Sequence, residues 1–316
     1  MGQTIDWRGI FIIPVTPFHP DLSLDLESME RQIAFCLACG VQGIVGPGVA
    51  GEFFTLSDEE RIEVIRVMTQ ATGGKVPVIA GIPGSSKHHA VALAKAAMAA
   101  GVDGFMAMPP YSDKGPYART LDYYQAIAEA APLPMVLQNA DNFFGFPLSM
   151  DEVAQLTASV PTIQVVKQET QPSPQRVGQL LGKLKNPEGG AAGATRNNQV
   201  QGVFGGLGGF ALFNELRRGA AGTMPATEFA DLFVQVYRLW ADGQEAEART
   251  LFNVMLPGIV MERLYGMAFM KAFLVRRGVI RHATLRAGQP ALDADDQAEL
   301  ELLYEALEPH FSVKGF

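Results

Sequence analysis

Cysteine is nearly absent from this chain: its 316 residues include two, Cys36 and Cys39. Two cysteines cannot build a disulfide scaffold, and their CxxC spacing raises a redox or zinc reading instead. A structural zinc site needs two more ligands at comparable spacing. The five histidines, His19, His88, His89, His282 and His310, offer no such pair, and the adjacent His88 and His89 diverge if they lie on a helix. Both cysteines are therefore expected to pack inside the first helix, with no metal bound. Basic residues are also in deficit, 25 Lys and Arg against 33 Asp and Glu for a net charge of -8, which leaves no field for nucleic acid or an anionic membrane. No uncharged run approaches the ~20 residues that span a bilayer. Met1 to Pro17 lacks the basic region and long apolar core of a signal peptide. The expectation is a soluble cytoplasmic protein whose partner is a small molecule, with no cofactor.

What is present is alternation. Apolar segments bounded by Gly, Pro or Asp read as strands at 9–17, 43–48, 77–82, 104–108, 134–139 and 163–169, with weaker ones at 200–204 and 221–224. Helical stretches separate them, at 25–38, 58–72, 87–100, 118–130, 150–159, 175–184 and 209–218. Near-continuous apolar strands alternating with amphipathic helices imply parallel strands buried on both faces. Eight such units predict an α/β fold, a closed (β/α)8 TIM barrel. A doubly wound open sheet would want a Gly-rich phosphate turn after the first strand, where this chain has Thr16-Pro17-Phe18-His19-Pro20. Ser57-Asp58-Glu59-Glu60 has the form of a capping box. Beyond residue 225 only helices are read, at 227–241, 245–255, 259–277 and 294–307. The predicted organisation is a barrel over 1–225 and a C-terminal helical extension over 226–316. The connection at 186–198, rich in Gly, Ala and Asn, is longer than most loops of its kind.

A barrel of this kind carries its active site at the C-terminal ends of the strands. Lys167 follows Ile163-Gln164-Val165-Val166 in the sixth strand, whereas Lys75, Lys87, Lys183, Lys185 and Lys314 fall in polar loops or helix ends. A lysine in a low-dielectric barrel mouth is the usual form of a Schiff-base nucleophile. Lowering its pKa from ~10.4 to ~7 or 8 corresponds to about 4 kcal/mol of differential stabilisation. The competing reading is an ion pair with Glu169, two residues on along the same strand face. Glycines around Val49 and Ala50 allow a sharp turn whose successive amides point at one carboxylate, against the reading of an ordinary strand-to-helix turn. Tyr111, after Pro109 and Pro110, could present a phenol or simply pack. Gly202, Gly205, Gly206, Gly208 and Gly209 allow a phosphate site, disfavoured because no Arg or Lys lies in that loop.

Taken together these pieces resemble the N-acetylneuraminate lyase and dihydrodipicolinate synthase group of pyruvate-dependent class I aldolases. The matching segments are Gly9-Ile10-Phe11 to Thr16-Pro17-Phe18, Gly48 to Glu52, Pro109-Pro110-Tyr111, Lys167 with Glu169-Thr170, and Arg218-Gly219-Ala220-Ala221-Gly222. The resemblance implies that Lys167 forms the imine, that the Gly48 loop holds the substrate carboxylate on the Val49 and Ala50 amides, and that the Gly202 carbonyl lines the pocket. It also implies a homotetramer built as a dimer of dimers, with Tyr111 reaching a neighbouring subunit's site.

Three departures redirect the reaction. Val49-Ala50 stands where the family has two threonines, and Gln138 stands where most members carry an acid-base tyrosine. The stretch Asn142-Phe143-Phe144-Gly145 replaces the arginine of the synthases. Sugar-acid dehydratases of the 2-keto-3-deoxyarabonate type share the glutamine, followed by an acidic or amide residue such as Asn139. Loss of the tyrosine harms aldol cleavage, which must deprotonate the C4 hydroxyl, more directly than dehydration, which must protonate it. The expected function is a lyase that dehydrates a 2-oxo-3-deoxy sugar acid, with Lys167, Tyr111 and Glu169 catalytic and Gly48, Val49, Ala50, Gln138, Asn139 and Gly202 binding substrate. A pyruvate-dependent aldolase is the alternative, and a keto-acid-binding barrel without turnover is the reading from a different class.

Overall fold

The computed structural model describes residues 4–112, 115–141, 146–185, 200–288 and 290–316. The stretches 142–145 and 186–198 singled out above lie outside the described residues. Eight parallel strands follow one another in hydrogen-bonded order and close into a barrel. They are β1 (Gly9–Ile12), β2 (Gly43–Gly46), β3 (Val78–Gly81), β4 (Gly104–Ala107), β5 (Met135–Asn139), β6 (Ile163–Gln168), β7 (Gly202–Gly205) and β8 (Gly222–Thr223). All eight predicted strands are present. β1 stops at Ile12, well short of its apolar run, and the other strands lie within about two residues of theirs. Seven helices connect them: α1 (Leu26–Cys39), α2 (Asp58–Thr72), α3 (Lys87–Ala99), α4 (Tyr117–Ala130), α5 (Met150–Ser159), α6 (Ser173–Lys185) and α7 (Leu212–Leu216). Then follow α8 (Ala230–Ala241), α9 (Glu245–Tyr265), α10 (Met267–Arg276) and α11 (Ala294–Leu307).

Helix starts follow local chemistry. The Ser57 hydroxyl accepts from the Glu60 amide and the Glu60 carboxylate accepts from the Ser57 amide, the predicted capping box. Ser149 and Glu152 build a second one at α5. One boundary differs from expectation. The break predicted around residues 256–258 is absent, because α9 runs straight through Pro257. Proline costs an interior hydrogen bond, yet here Gly258 lets the helix approach so closely that a Cβ would sit 2.6 Å from the Phe229 ring. The chain turns instead at Gly266, at φ 55°.

Contacts divide the chain into two units, residues 1–8 with 79–223 and residues 9–78 with 224–316. In the first, β4, β5, β6, β7 and β8 pair in sequence. Its interior is filled by Phe105, Tyr123, Tyr124 and Phe204, and the Tyr124 hydroxyl donates to the Ala107 carbonyl at 3.1 Å. In the second, β1 pairs with β2, and α8 packs on β1 and α1, as the eighth helix of a barrel would. Phe229, Phe269 and Phe273 form an aromatic cluster there. Cys36 and Cys39 pack within α1, and burial pushes the Cys36 thiol up to about 12 and the Cys39 thiol higher still. Thiols so raised are inert as nucleophiles.

Candidate active site

In β6, successive side chains alternate between the two faces, so Val165, Lys167 and Glu169 share one face and Val166 and Gln168 the other. Register places Gln138 of β5 beside Lys167 and Asn139 beside Gln168. Lys167 and Glu169 are each 4% exposed. The Lys167 ammonium nitrogen lies 3.1 Å from Glu169 Oε1, so the ion pair anticipated as the competing reading is formed. The Gln138 amide donates to Glu169 Oε2 at 2.7 Å, and the Leu207 backbone N–H donates to Glu169 Oε1 at 3.0 Å. One carboxylate thus gathers a lysine, a side-chain amide and a main-chain amide in a buried pocket.

The opposite face serves structure. Asn139 is fully buried; its side chain donates to the Leu148 carbonyl at 3.0 Å and to Gln168 at 3.1 Å, and accepts from the Leu148 amide at 2.8 Å. Asn139 ties β5 to the segment before α5. Gly202 also sits apart from the lysine. It pairs with Val165, while Phe204 pairs with Lys167, so Gly202 lies a full pleat repeat deeper along the barrel wall. The glycine at the lysine is Gly206, just past the end of β7, where a Cβ would fall 2.7 Å from Lys167 Cε and 2.1 Å from Glu169 Oε1. Gly206, one of the glycines read as a possible phosphate loop, therefore admits the Lys167–Glu169 pair. Tyr111 is half-buried in the loop after β4 and is not among the groups bonded to Glu169.

Gly48, Val49 and Ala50 form the turn after β2, Gly48 buried and the other two half-buried. The turn closes through the Glu52 amide, which donates to the Val49 carbonyl at 2.9 Å. Among the described residues the Val49 and Ala50 N–H groups donate to nothing. What fixes the turn is Glu52, held at φ 51° with its side chain wholly buried. Its carboxylate accepts from Lys271 at 2.5 Å and from the amides of Arg286 and Ala287 at 3.0 and 2.7 Å. Thr16 Oγ1 donates to the Gly51 carbonyl at 2.6 Å. Sequence reasoning missed Lys271. Burial brings its amine down to about 8, against the opposing pull of Glu52.

A cavity of about 440 Å³ opens beside Ser85, Lys87, Pro110, Tyr117 and Arg119. Lys167, Glu169 and Gln138 are not among its walls.

A closed parallel barrel with a buried lysine and carboxylate at the end of its sixth strand has the architecture of the (β/α)8-barrel lyases. Residues 6–187, more than half of the chain, match the Dihydrodipicolinate synthetase family, and the chain belongs to it. The chain is 28% identical over 306 residues to L-2-keto-3-deoxyarabonate dehydratase from Azospirillum brasilense, covering 96% of this chain and 95% of the relative. It is 32% identical over 166 residues to 4-hydroxy-tetrahydrodipicolinate synthase from Chloroherpeton thalassium, a match spanning about half of each protein, 52% and 55%. Among solved structures, a prophage protein of the dihydrodipicolinic acid synthase family from E. coli K12, in complex with pyruvate, superposes with a TM-score of 0.84 at 26% identity, covering 95% of this chain and 98% of that one. No helix among the described residues is long and apolar enough to cross a membrane.

Proposed function

We propose that this protein is a Schiff-base lyase that dehydrates a 2-oxo-3-deoxy sugar acid. The observation that carries the reading is the buried cluster in which Lys167 and Gln138 both meet Glu169. To attack a 2-oxo carbon, Lys167 must first lose its proton, and Glu169 Oε1 at 3.1 Å is in place to take it. Condensation expels the carbonyl oxygen as water and leaves an iminium. The electron-poor iminium acidifies C3, and a base removes that proton to give a neutral enamine. The enamine then pushes out the C4 hydroxyl, which leaves as water once protonated. Glu169 carries the proton from C3 to that hydroxyl, and hydrolysis of the resulting iminium frees Lys167.

Gln138 holds Glu169 Oε2 without titrating and leaves Oε1 for proton transfer. The Val49 and Ala50 amides, which have no partner among the described residues, are assigned to the substrate carboxylate, with Gly48 giving them room. Tyr111 is assigned to the substrate's hydroxyl tail. The relative of 28% identity over nearly the whole chain, a keto-deoxy-sugar-acid dehydratase, supports the reaction class. A homotetramer in the cytoplasm, with no cofactor, accompanies the reading.

The test is to incubate the protein with a panel of 2-oxo-3-deoxy pentonates and hexonates, following the dehydrated product and pyruvate separately. Water loss without pyruvate, abolished in Lys167→Ala, is expected. No turnover of any of these acids would overturn the proposal.

A further inference from the structure

Behind the Lys167 face lies a second buried carboxyl that the reaction above does not use. Glu215 of α7 is 1% exposed; Ser173 Oγ donates to its Oε1 at 2.6 Å, and its Oε2 has no hydrogen-bond partner among the described residues. The strand in front of it is bare. A Cβ at Gly205 would fall 1.7 Å from Glu215 Oε2, just as one at Gly206 would fall 2.1 Å from Glu169 Oε1. Gly205 ends β7 and Gly206 continues it in extended backbone, where adjacent residues face opposite sides, so the two carboxyls press on the same glycine pair from its two faces. With consecutive Cα atoms ~3.8 Å apart, their separation is on the order of 10 Å or less. The intervening medium is protein, where salt screens weakly.

We propose that Glu215 is a positioning residue for the lysine chemistry: when neutral it lets Lys167 shed its proton, and when ionised it acts through the bare Gly205–Gly206 strand to hold that proton on the Lys167–Glu169 pair. The proposal rests on the Schiff-base reading of Lys167. Packing alone does not call for an acid here, since a glutamine would fill the same space and serve Ser173 without placing a titratable group in the interior. Burial pushes Glu215 up to about 7, with Ser173 pulling it down and the charge of Glu169 pushing it up. Around it, α6 contributes Ser173, while Arg176 on that helix is half-buried and bonded to Gln179. On its own side Arg217 and Arg218 are exposed, and Arg218 donates to the Asn214 carbonyl. From β8 comes only the uncharged hydroxyl of Thr223, and from β6 the Lys167–Glu169 pair.

The experiment follows cyanoborohydride trapping of pyruvate on Lys167 against pH in the unmodified protein, Glu215→Gln and Ser173→Ala. Removing the charge in Glu215→Gln is expected to move the half-maximal trapping pH down by about one unit, on the order of tenfold more adduct at a fixed pH on the rising limb. Ser173→Ala, which keeps Glu215 protonated to higher pH, is expected to move it the same way by less. Superimposable profiles for the unmodified protein and Glu215→Gln overturn the proposal while leaving the Schiff-base reading intact. If Glu215→Gln does not fold, an unshifted Ser173→Ala profile overturns it instead. Absence of any Lys167 adduct in the unmodified protein is a different failure, that of the Schiff-base reading itself.

Discussion

Gln138 and Glu169 are joined by a 2.7 Å hydrogen bond between neighbouring strands, with the amide nitrogen of Gln138 donating to Oε2. Because Lys167 and the Leu207 amide both address Oε1, the bond makes the two oxygens inequivalent and fixes the plane of the carboxylate. Gln138→Leu would leave Oε2 buried without a donor, a loss of about 1–3 kcal/mol. We expect turnover to fall by roughly 10- to 100-fold, since about 1.4 kcal/mol corresponds to a factor of ten, with a smaller change in KM. Steady-state kinetics on the dehydrated acid checks it, and unchanged kcat would remove Gln138 from the machinery.

Two lysines are buried among the described residues, Lys167 and Lys271. Burial lowers the Lys271 amine to about 8, which taken alone would favour it as a nucleophile. Geometry decides otherwise. Its nitrogen is occupied by Glu52 at 2.5 Å and the Thr284 carbonyl at 2.8 Å, and it lies 4.3 Å from the centre of the Phe18 ring. Borohydride reduction with pyruvate should therefore label Lys167 and leave Lys271 unmodified, as peptide mass spectrometry will show. Labelling that persists in Lys167→Ala would sink the assignment.

Much of this site was legible in the chain. The run Ile163 to Val166 ahead of Lys167 fixed a strand, and spacing of two put Glu169 on the same face as the lysine. The same parity puts Asn139 on the opposite face of β5 from Gln138. Which β7 residue stands beside Lys167 depends on register between strands, which puts Phe204 there, and one chain's local pattern does not encode register. Lys271 meets Glu52 across 219 residues of sequence, and its apolar helix, Met267–Arg276, reads as core. Glu215 lay hidden in the same way, on the five-residue helix α7.

The Glu52–Lys271 pair yields a stability prediction. Removing one member of a buried pair leaves the other charge uncompensated, typically a loss of about 3–5 kcal/mol, whereas replacing both is often close to neutral. Lys271→Met should lower the urea midpoint accordingly, and Glu52→Gln with Lys271→Met should recover much of the loss. Because Glu52 fixes the Gly48–Gly51 turn, KM for the 2-oxo acid should rise in Lys271→Met. A single variant as stable as the unmodified protein would refute the pair's structural role.

A buried pair of acids, Glu228 and Glu262, sets a pH dependence. Burial and the neighbouring Glu262 carboxyl push Glu228 well above the usual range, and burial pushes Glu262 up to about 7. Both bind protons more tightly in the folded state than in the unfolded chain. The contribution of Glu262 to stability is therefore full below pH 4.5 and is lost as pH rises toward about 7, and that of Glu228 is lost in the same direction. Glu262→Gln should flatten that part of the profile and raise stability at pH 8 by on the order of 1–3 kcal/mol. Denaturant titrations at pH 5, 6, 7 and 8 measure it. A slope between pH 5 and 7 identical in the variant and the unmodified protein contradicts the assignment.

The final prediction concerns which bond breaks. Dehydration and aldol cleavage share the iminium on Lys167 and diverge at C4. Cleavage needs a base to take the C4 hydroxyl proton so that the C3–C4 bond can open, whereas water loss needs that hydroxyl protonated. Gln138 can do neither, because an amide does not titrate. Gln138→Tyr puts a phenol on the face of β5 that meets Lys167 and Glu169, where it can still donate to the carboxylate and can also relay a proton. We expect the ratio of pyruvate release to water loss from one 2-oxo-3-deoxy acid to rise by ~10² or more, the lower end of what a positioned acid-base contributes. Synthesis from pyruvate and aspartate semialdehyde should stay at background in the unmodified protein, since the neutral Gln138 offers a second carboxylate no charged partner. Parallel assays for pyruvate and for the dehydrated product give the ratio directly. A ratio unmoved by Gln138→Tyr would show that residue 138 does not choose between the two fates. Pyruvate release by the unmodified protein on the order of 1 per second or faster would make it an aldolase.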